Sequence, residues 1–320
     1  MHHRSRPRKR GGTVTVTAAP PALLHKVGDR ALAWLDAHRE HFRLTSEDRA
    51  TNRALLERLK PVGELVINMQ VLFREGVAGS QQRNRAGQLL DFAWRELLDG
   101  GNVLAALQHD EPFSPVPLEI YGSFHELGHR HPGLERAIAT ARQTRSWSAL
   151  EMVPNRRLGV LNAERKLGLP PSGDFGRALS RTWLAQRPEP WTVQLHLAYD
   201  VTHTVFHLTN WGAVPERIPP QIADYLTRYL PAWLEDWADL GHWDLLGELL
   251  VVDACLPRPS LDAEVWERFA AAQDASGAMP LQREMPDGDA ATVFDIVHHP
   301  TLVAAFASAM ATSRALADAL

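Results

Sequence analysis

From about residue 20 onward the apolar positions recur every three or four residues, the period of amphipathic helices. In "ALLHKVGDRALAWLDAHREHF" the side chains of Leu24, Val27, Ala31, Leu32 and Leu35 fall on one helical face. "TSEDRATNRALLERL" opens with Thr45 or Ser46 as N-cap and acids in the first turn. Pro61 is expected to end that helix and to start another through "VGELVINMQVLF". "QQRNRAGQLLDFAWRELL" continues the pattern until Gly100 and Gly101 stop it. Later helices are predicted near 115–129, 132–143, 154–167, 174–186, 189–209, 219–239, 242–255, 261–274 and 290–316. The segments between them, such as "LPPSGD", "RPEP", "LPRPS" and "MPDGD", are the Pro/Gly breaks that join helices. "TVTVT" at 13–17 alternates, but no set of strands that could build a sheet accompanies it. The fold class is therefore all-α. Consecutive helical hairpins fit a closed α/α toroid of inner and outer helices or an open α-solenoid, and the toroid is the expectation.

Composition narrows the picture. With 320 residues and 45% hydrophobic content, the chain can bury a large core. Residues 20–320 read as one helical domain behind a basic tail, 1–19, whose "MHHRSRPRKRGG" lacks the apolar stretch of a secretory signal. The net charge of −4 gives no reason to expect nucleic acid as a partner. No run of about 18 apolar residues predicts a membrane span. Cys255 is the only cysteine, which excludes a disulfide framework and suits a reducing, cytoplasmic setting.

Two histidine patterns carry candidate chemistry. "HELGH" (125–129) spells the zinc-metallopeptidase helix, in which His125 and His129 would share a metal and Glu126 would act as general base. Its context is poor, because no sheet is predicted and Pro132 breaks the helix just beyond. Glu151 or Glu164 would have to serve as a distant third ligand. The second pattern is stronger. In "VQLHLAYDVTHTVFHLTNWG", His196, Asp200, His203 and His207 form one stripe on an otherwise greasy helix, which suggests a cavity wall. Burying four ionisable groups is costly unless they serve a purpose. The candidate catalytic set is His203, Asp200, His299 and Tyr199, with Asp200 orienting His203. The candidate metal ligands are His196, His203, His207, His125 and His129, with zinc as the expected ion. Asp244 and Glu248 lie four apart inside the apolar "WDLLGELLVVDACL", and Asp295 is placed to orient His299.

Several stretches resemble known families. "WERFAAAQDASGAMP" (266–280) resembles the helix-Gln-x-x-x-Gly turn of terpene cyclases and prenyltransferase β subunits. "FDIVHHPTLVAAFASA" (294–309) is similar to the late prenyltransferase helix whose His binds zinc. Asp253-x-Cys255 followed by His298 and His299 resembles that family's zinc triad, with a shorter gap and no glycine-rich lead-in. "ALAWLDAHREHF", "AYDVTHTVFHLTNWG", "WDLLGELL" and "VHHPTLVAAFA" together resemble a family of uncharacterised, actinobacterial-type helical proteins associated with natural-product gene clusters. The resemblance implies that His203 and His299 belong to the shared pattern and that the His125–His129 motif does not. It supplies no activity. The expected function is a natural-product tailoring enzyme (cyclase, lyase or hydrolase type) acting on a small molecule or modified peptide. A non-catalytic binding protein is the second reading and a zinc metallopeptidase the third.

Overall fold

The computed structural model describes residues 17–317; residues 1–16, most of the expected basic tail, lie outside them. Thr17 to Ala19 are pinned to the loop before the fourteenth helix. Ala19 N donates to Leu261 O, and Ala263 N donates to Thr17 O. Fifteen α-helices and no strand are present among the described residues, the all-α class that the periodicity predicts, although Asn102–Asp110 is a helix that it does not name. They are α1 (Pro21–Ala37), α2 (Asn52–Glu75), α3 (Ser80–Phe92), α4 (Asn102–Asp110), α5 (Val116–Glu126), α6 (Pro132–Arg142), α7 (Arg145–Ala149) and α8 (Pro154–Lys166). There follow α9 (Phe175–Ser180), α10 (Trp183–Gln186), α11 (Leu195–Leu208), α12 (Pro220–Leu240), α13 (Trp243–Ala254), α14 (Ala263–Ala272) and α15 (Ala290–Ala317).

The start of α2 differs from expectation. Thr51, not Thr45 or Ser46, is its N-cap, and its side chain accepts from Ala54 N. Thr45 is diverted into a separate turn, donating to the Asp48 carboxylate through both N and Oγ1. Pro61 does not end the helix either, and Pro231 and Pro300 likewise sit inside α12 and α15. An interior proline costs about 3 kcal/mol, partly because it strands the carbonyl four residues earlier. Those carbonyls belong to Glu57, Thr227 and Ile296, all exposed residues where water can replace the missing donor. Burial of the apolar residues on both sides of each proline offsets the remaining cost.

α15 is the packing centre. It lies against α1, α13 and α2, and residues 300–312 of it are all buried. It is long and apolar enough to cross a membrane by length and composition, but its apolarity is used in this core. α2 packs on α5, α5 on α8, α8 on α11 and α11 on α13, so the pairings of these six helices return to α15. Six more pack on these one apiece: α1 on α15, α3 on α2, α4 on α5, α9 on α8, α10 on α11 and α12 on α13; α6 packs on α4, α7 on α6, and α14 on α1, α12 and α13. Gln273, of the Gln-x-x-x-Gly segment, donates to Gly277 O and to Val27 O, stapling the turn after α14 onto α1.

The α13–α15 contact is set by Gly247. A β-carbon there would lie 2.6 Å from Val303 Cγ1 and 3.1 Å from Phe269 Cζ. Gly247 stands between Asp244 and Glu248, so this close approach presents both acids to α15. Alanine would gain about 1 kcal/mol of helix propensity, but overpacking costs about 1–3 kcal/mol. Gly247→Ala is therefore expected to lower the denaturation midpoint. A raised midpoint would show that the two helices can separate without cost.

Candidate functional site

A cavity of about 360 Å³ opens between α2, α5, α8 and α11. Most of its wall is apolar, supplied by residues such as Leu59, Ile67, Val116, Ile120 and Trp211. Glu64, Ile67, His203 and Trp211 also line a smaller chamber of about 50 Å³, which Glu248 and His299 close off. The chamber thus adjoins the cavity across these four shared residues, and its side is the inner end.

His299, from α15, stands at that inner end. Its Nδ1 lies 2.9 Å from Glu64 Oε2, and its Nε2 lies 3.4 Å from both Asp244 Oδ1 and Glu248 Oε1. The other oxygen of each α13 carboxylate is taken from α11: Tyr199 OH donates to Asp244 Oδ2, and Thr202 Oγ1 donates to Glu248 Oε2. Both α13 acids are buried, which accords with an i, i+4 pair facing one neighbour. His203 Nδ1 donates to Tyr199 O at 2.8 Å, an arrangement that leaves Nε2 as its second ring nitrogen on the cavity wall.

Charge follows from this geometry. Burial disfavours the Glu64 anion, but the His299 charge and hydrogen bond overcome it and hold the carboxyl at about 2. Burial likewise disfavours the His299 cation, yet Glu64, Glu248 and Asp244 raise its pKa well above the usual histidine value. Glu248 is lowered, because His203 and His299 outweigh its desolvation. Asp244 is raised by burial, with the neighbouring Glu248 adding to it against the pull of His299. His299 is therefore an imidazolium when no other cation is present, held by ionised Glu64 and Glu248.

A second polar group occupies the outer cavity. Burial raises Glu119 to about 7, even though Arg156 pairs with it and Lys166 lies nearby. Burial, with His203 adding to it, pushes His207 well below the usual value, so it is neutral. Gly159 lets these two approach: a β-carbon there would lie 3.0 Å from His207 Nε2 and 3.3 Å from Glu119 Oε1. Lys166, lowered by burial to about 8, donates to Gln70 Oε1 and Ser123 Oγ.

The residues singled out from the sequence fall into three groups. His203 and His299 face one chamber, and Tyr199 braces it through Asp244. His207 lines the outer cavity. His196 is exposed in the first turn of α11, because that helix starts at Leu195, and Asp200 turns to Asn155, accepting from its Nδ2 at 2.9 Å. The α11 stripe thus splits, and Tyr199 and Thr202 reach the cluster in place of His196 and Asp200.

The His125–His129 motif has no common helical face. α5 ends at Glu126, and Gly128, at φ 93°, turns the chain before His129. His129 packs on Trp94 and Phe124, His125 approaches Lys166 O, and Glu126 accepts from Gln70. Glu164 is buried under Arg142 and Trp147. The Asp253–Cys255 pair is also occupied structurally. Asp253 accepts from Ser260 N and Leu261 N, and burial pushes the Cys255 thiol up to about 11. His298 stacks on Phe294, and Asp295 pairs with Arg58 rather than with His299.

Among the described residues, Asp244, Glu248 and His299 have the spacing to hold a metal ion, one ligand atom each, all within 4.8 Å of one another. Glu64 and Glu119 are cavity residues that the stripe argument passed over; it also missed Thr202, which is buried behind Glu248. The signal for Glu64 is a lone acid inside "VGELVINM", the same kind of signal that marked α11.

Glu119 gives a pH test. Its folded pKa of about 7 lies above the ordinary 4.5, so the native state holds the proton more tightly and stability falls as pH rises between these values. Glu119→Gln removes that dependence. From pH 5 to pH 8 the variant should gain about 2 kcal/mol relative to wild type in denaturant unfolding. A constant difference across the range would mean that Glu119 is ionised throughout.

No curated protein and no solved structure matches the chain. Residues 28–309 match DUF6895, a domain of unknown function, and the chain therefore belongs to the DUF6895 family.

Proposed function

We propose that this protein is an enzyme of the tailoring type, a cyclase, lyase or hydrolase, acting on a small and largely apolar molecule in the central cavity. The observation that carries this reading is His299, ringed by three carboxylates at the inner end of an apolar cavity of about 360 Å³. A packed core does not need such a group: an apolar residue of similar size would avoid the desolvation cost of the charges. The volume lies within the range of small-molecule sites, and the few convergent polar groups would fix orientation. The helix pairings that return to α15 support a closed toroid over an open solenoid, with the substrate in its middle.

The roles follow from position. With no metal bound, His299 and Glu248 would exchange a proton at the inner end, with Glu64 holding the imidazole. His203 bridges the two compartments, 6.2 Å from His207 between ring centres. Glu119 would serve as a second acid or base at the outer end, since a carboxyl near 7 is poised for that work. The metal that the α11 stripe was expected to bind as zinc would instead be held by Asp244, Glu248 and His299, where a divalent cation would act as a Lewis acid.

The test is untargeted. Metabolite extract from the source cells is incubated with wild type and with His299→Ala, and mass features are compared over time. At least one small-molecule feature should fall, and a new one rise, only with wild type. A feature that is retained on the protein but recovered unchanged would favour the binding-protein reading and overturn the enzyme.

A further inference from the structure

We propose that Asp244 Oδ1, Glu248 Oε1 and His299 Nε2 are the three protein ligands of one six-coordinate divalent cation of the manganese or iron(II) class. Its remaining positions would face the chamber. The proposal rests on the enzyme reading only for what the ion would do there.

Spacing is the first argument. Ligands about 2.0–2.2 Å from an ion stand about 3.0–3.5 Å from one another along the edges of its coordination polyhedron. Nε2 lies 3.4 Å from each of the two oxygens, long for a charge-assisted hydrogen bond but suited to such an edge.

The second argument is the disposition of the other atoms. Every atom of the trio has a sister atom, and each sister is committed to a neighbour. Asp244 Oδ2 takes the Tyr199 hydroxyl, Glu248 Oε2 takes the Thr202 hydroxyl, and His299 Nδ1 takes Glu64 Oε2. Outer partners of this kind fix ligand orientation around metals, and a carboxylate on the second ring nitrogen is one of their usual forms for histidine. Only Oδ1, Oε1 and Nε2 are left to converge.

The third is an orphan. Asp244 is 2% exposed, yet its Oδ1 has no hydrogen-bond partner among the described residues. A buried carboxylate oxygen without a donor is costly, and a cation at the trio's centre would satisfy it. Two carboxylate oxygens and one imidazole form a set that suits six-coordinate manganese or iron(II) and lacks the thiolate that would favour softer ions. All three ligands come from α13 and α15, and Glu248 and His299 line the chamber together with His203 of α11, so the ion's open positions would face the chamber, with Glu64 behind the imidazole on Nδ1.

The experiment is a titration of the metal-free full chain with Mn²⁺, followed by electron paramagnetic resonance. One ion should bind per chain, and pulsed spectra should show coupling to the nitrogen of one directly bound imidazole. Folded Glu248→Gln and Asp244→Asn should each weaken binding by about 100-fold or more, and Glu64→Gln by about 10–100-fold. His125→Ala should bind as wild type does. Absence of stoichiometric binding, absence of nitrogen coupling in wild type, or unchanged affinity in a folded α13 variant would each overturn the proposal. The wild-type spectrum decides even if the variants do not fold. Loss of metal binding would leave the acid–base enzyme standing, and failure of the extract experiment would leave metal binding standing.

Discussion

The arrangement of the inner helices turns on one ionic cluster, His299 with Glu64, Asp244 and Glu248, brought together by α15, α2 and α13. Taking Asp244 and Glu248 almost wholly out of water, and Glu64 and His299 largely so, costs several kcal/mol per fully buried ion unless each is paired. Pairing here requires three helices from distant parts of the chain to arrive in register. α11 must then follow, because Tyr199 and Thr202 satisfy the far oxygens of the α13 acids. The apolar contacts would tolerate small slips of helix against helix, whereas the cluster would not. Losing one partner strands a buried charge, a more severe fault than a missing methyl group. The absence of a side chain at Gly247 belongs to the same constraint, since it brings α13 close enough to α15 for the acids to reach His299.

The cavity inherits its polarity from this arrangement. Its inner end is charged and its middle apolar, and its outer end carries a neutral histidine beside a carboxyl near 7. A molecule that filled it would place one end against the cluster and the other near Glu119 and Arg156. The low-dielectric walls between would strengthen both sets of interactions. His203, on the wall of both compartments, is the group that a bound molecule and the cluster would share.

Much of this was legible in the sequence, and the misses have physical causes. The helical period gave the fold class because it needs only local spacing. Pro61 misleads as a stop signal because tertiary burial and an exposed carbonyl outweigh the local penalty. His203 and His299 were found because a charge inside an apolar helix is visible without a structure. Glu64 carries the same signal, but with Lys60 four residues before it and Asn68 four after it, it reads as part of a solvated stripe with an i, i+4 ion pair. His196 has the right period but lies exposed in the first turn of its helix, and Asp200 is drawn to Asn155 on α8; period says neither where a helix begins to be buried nor which neighbour claims a side chain. His125 and His129 show the limit of a motif: the letters are correct, but a turn at Gly128 separates them.

The most direct measurement is anomalous diffraction at the manganese edge from crystals of the full chain grown with Mn²⁺. The account predicts one strong peak per chain, within about 2.3 Å of Asp244 Oδ1, Glu248 Oε1 and His299 Nε2, with Glu64 still on Nδ1. A peak elsewhere, or an empty cluster with His299 still spanning its three carboxylates, would contradict it.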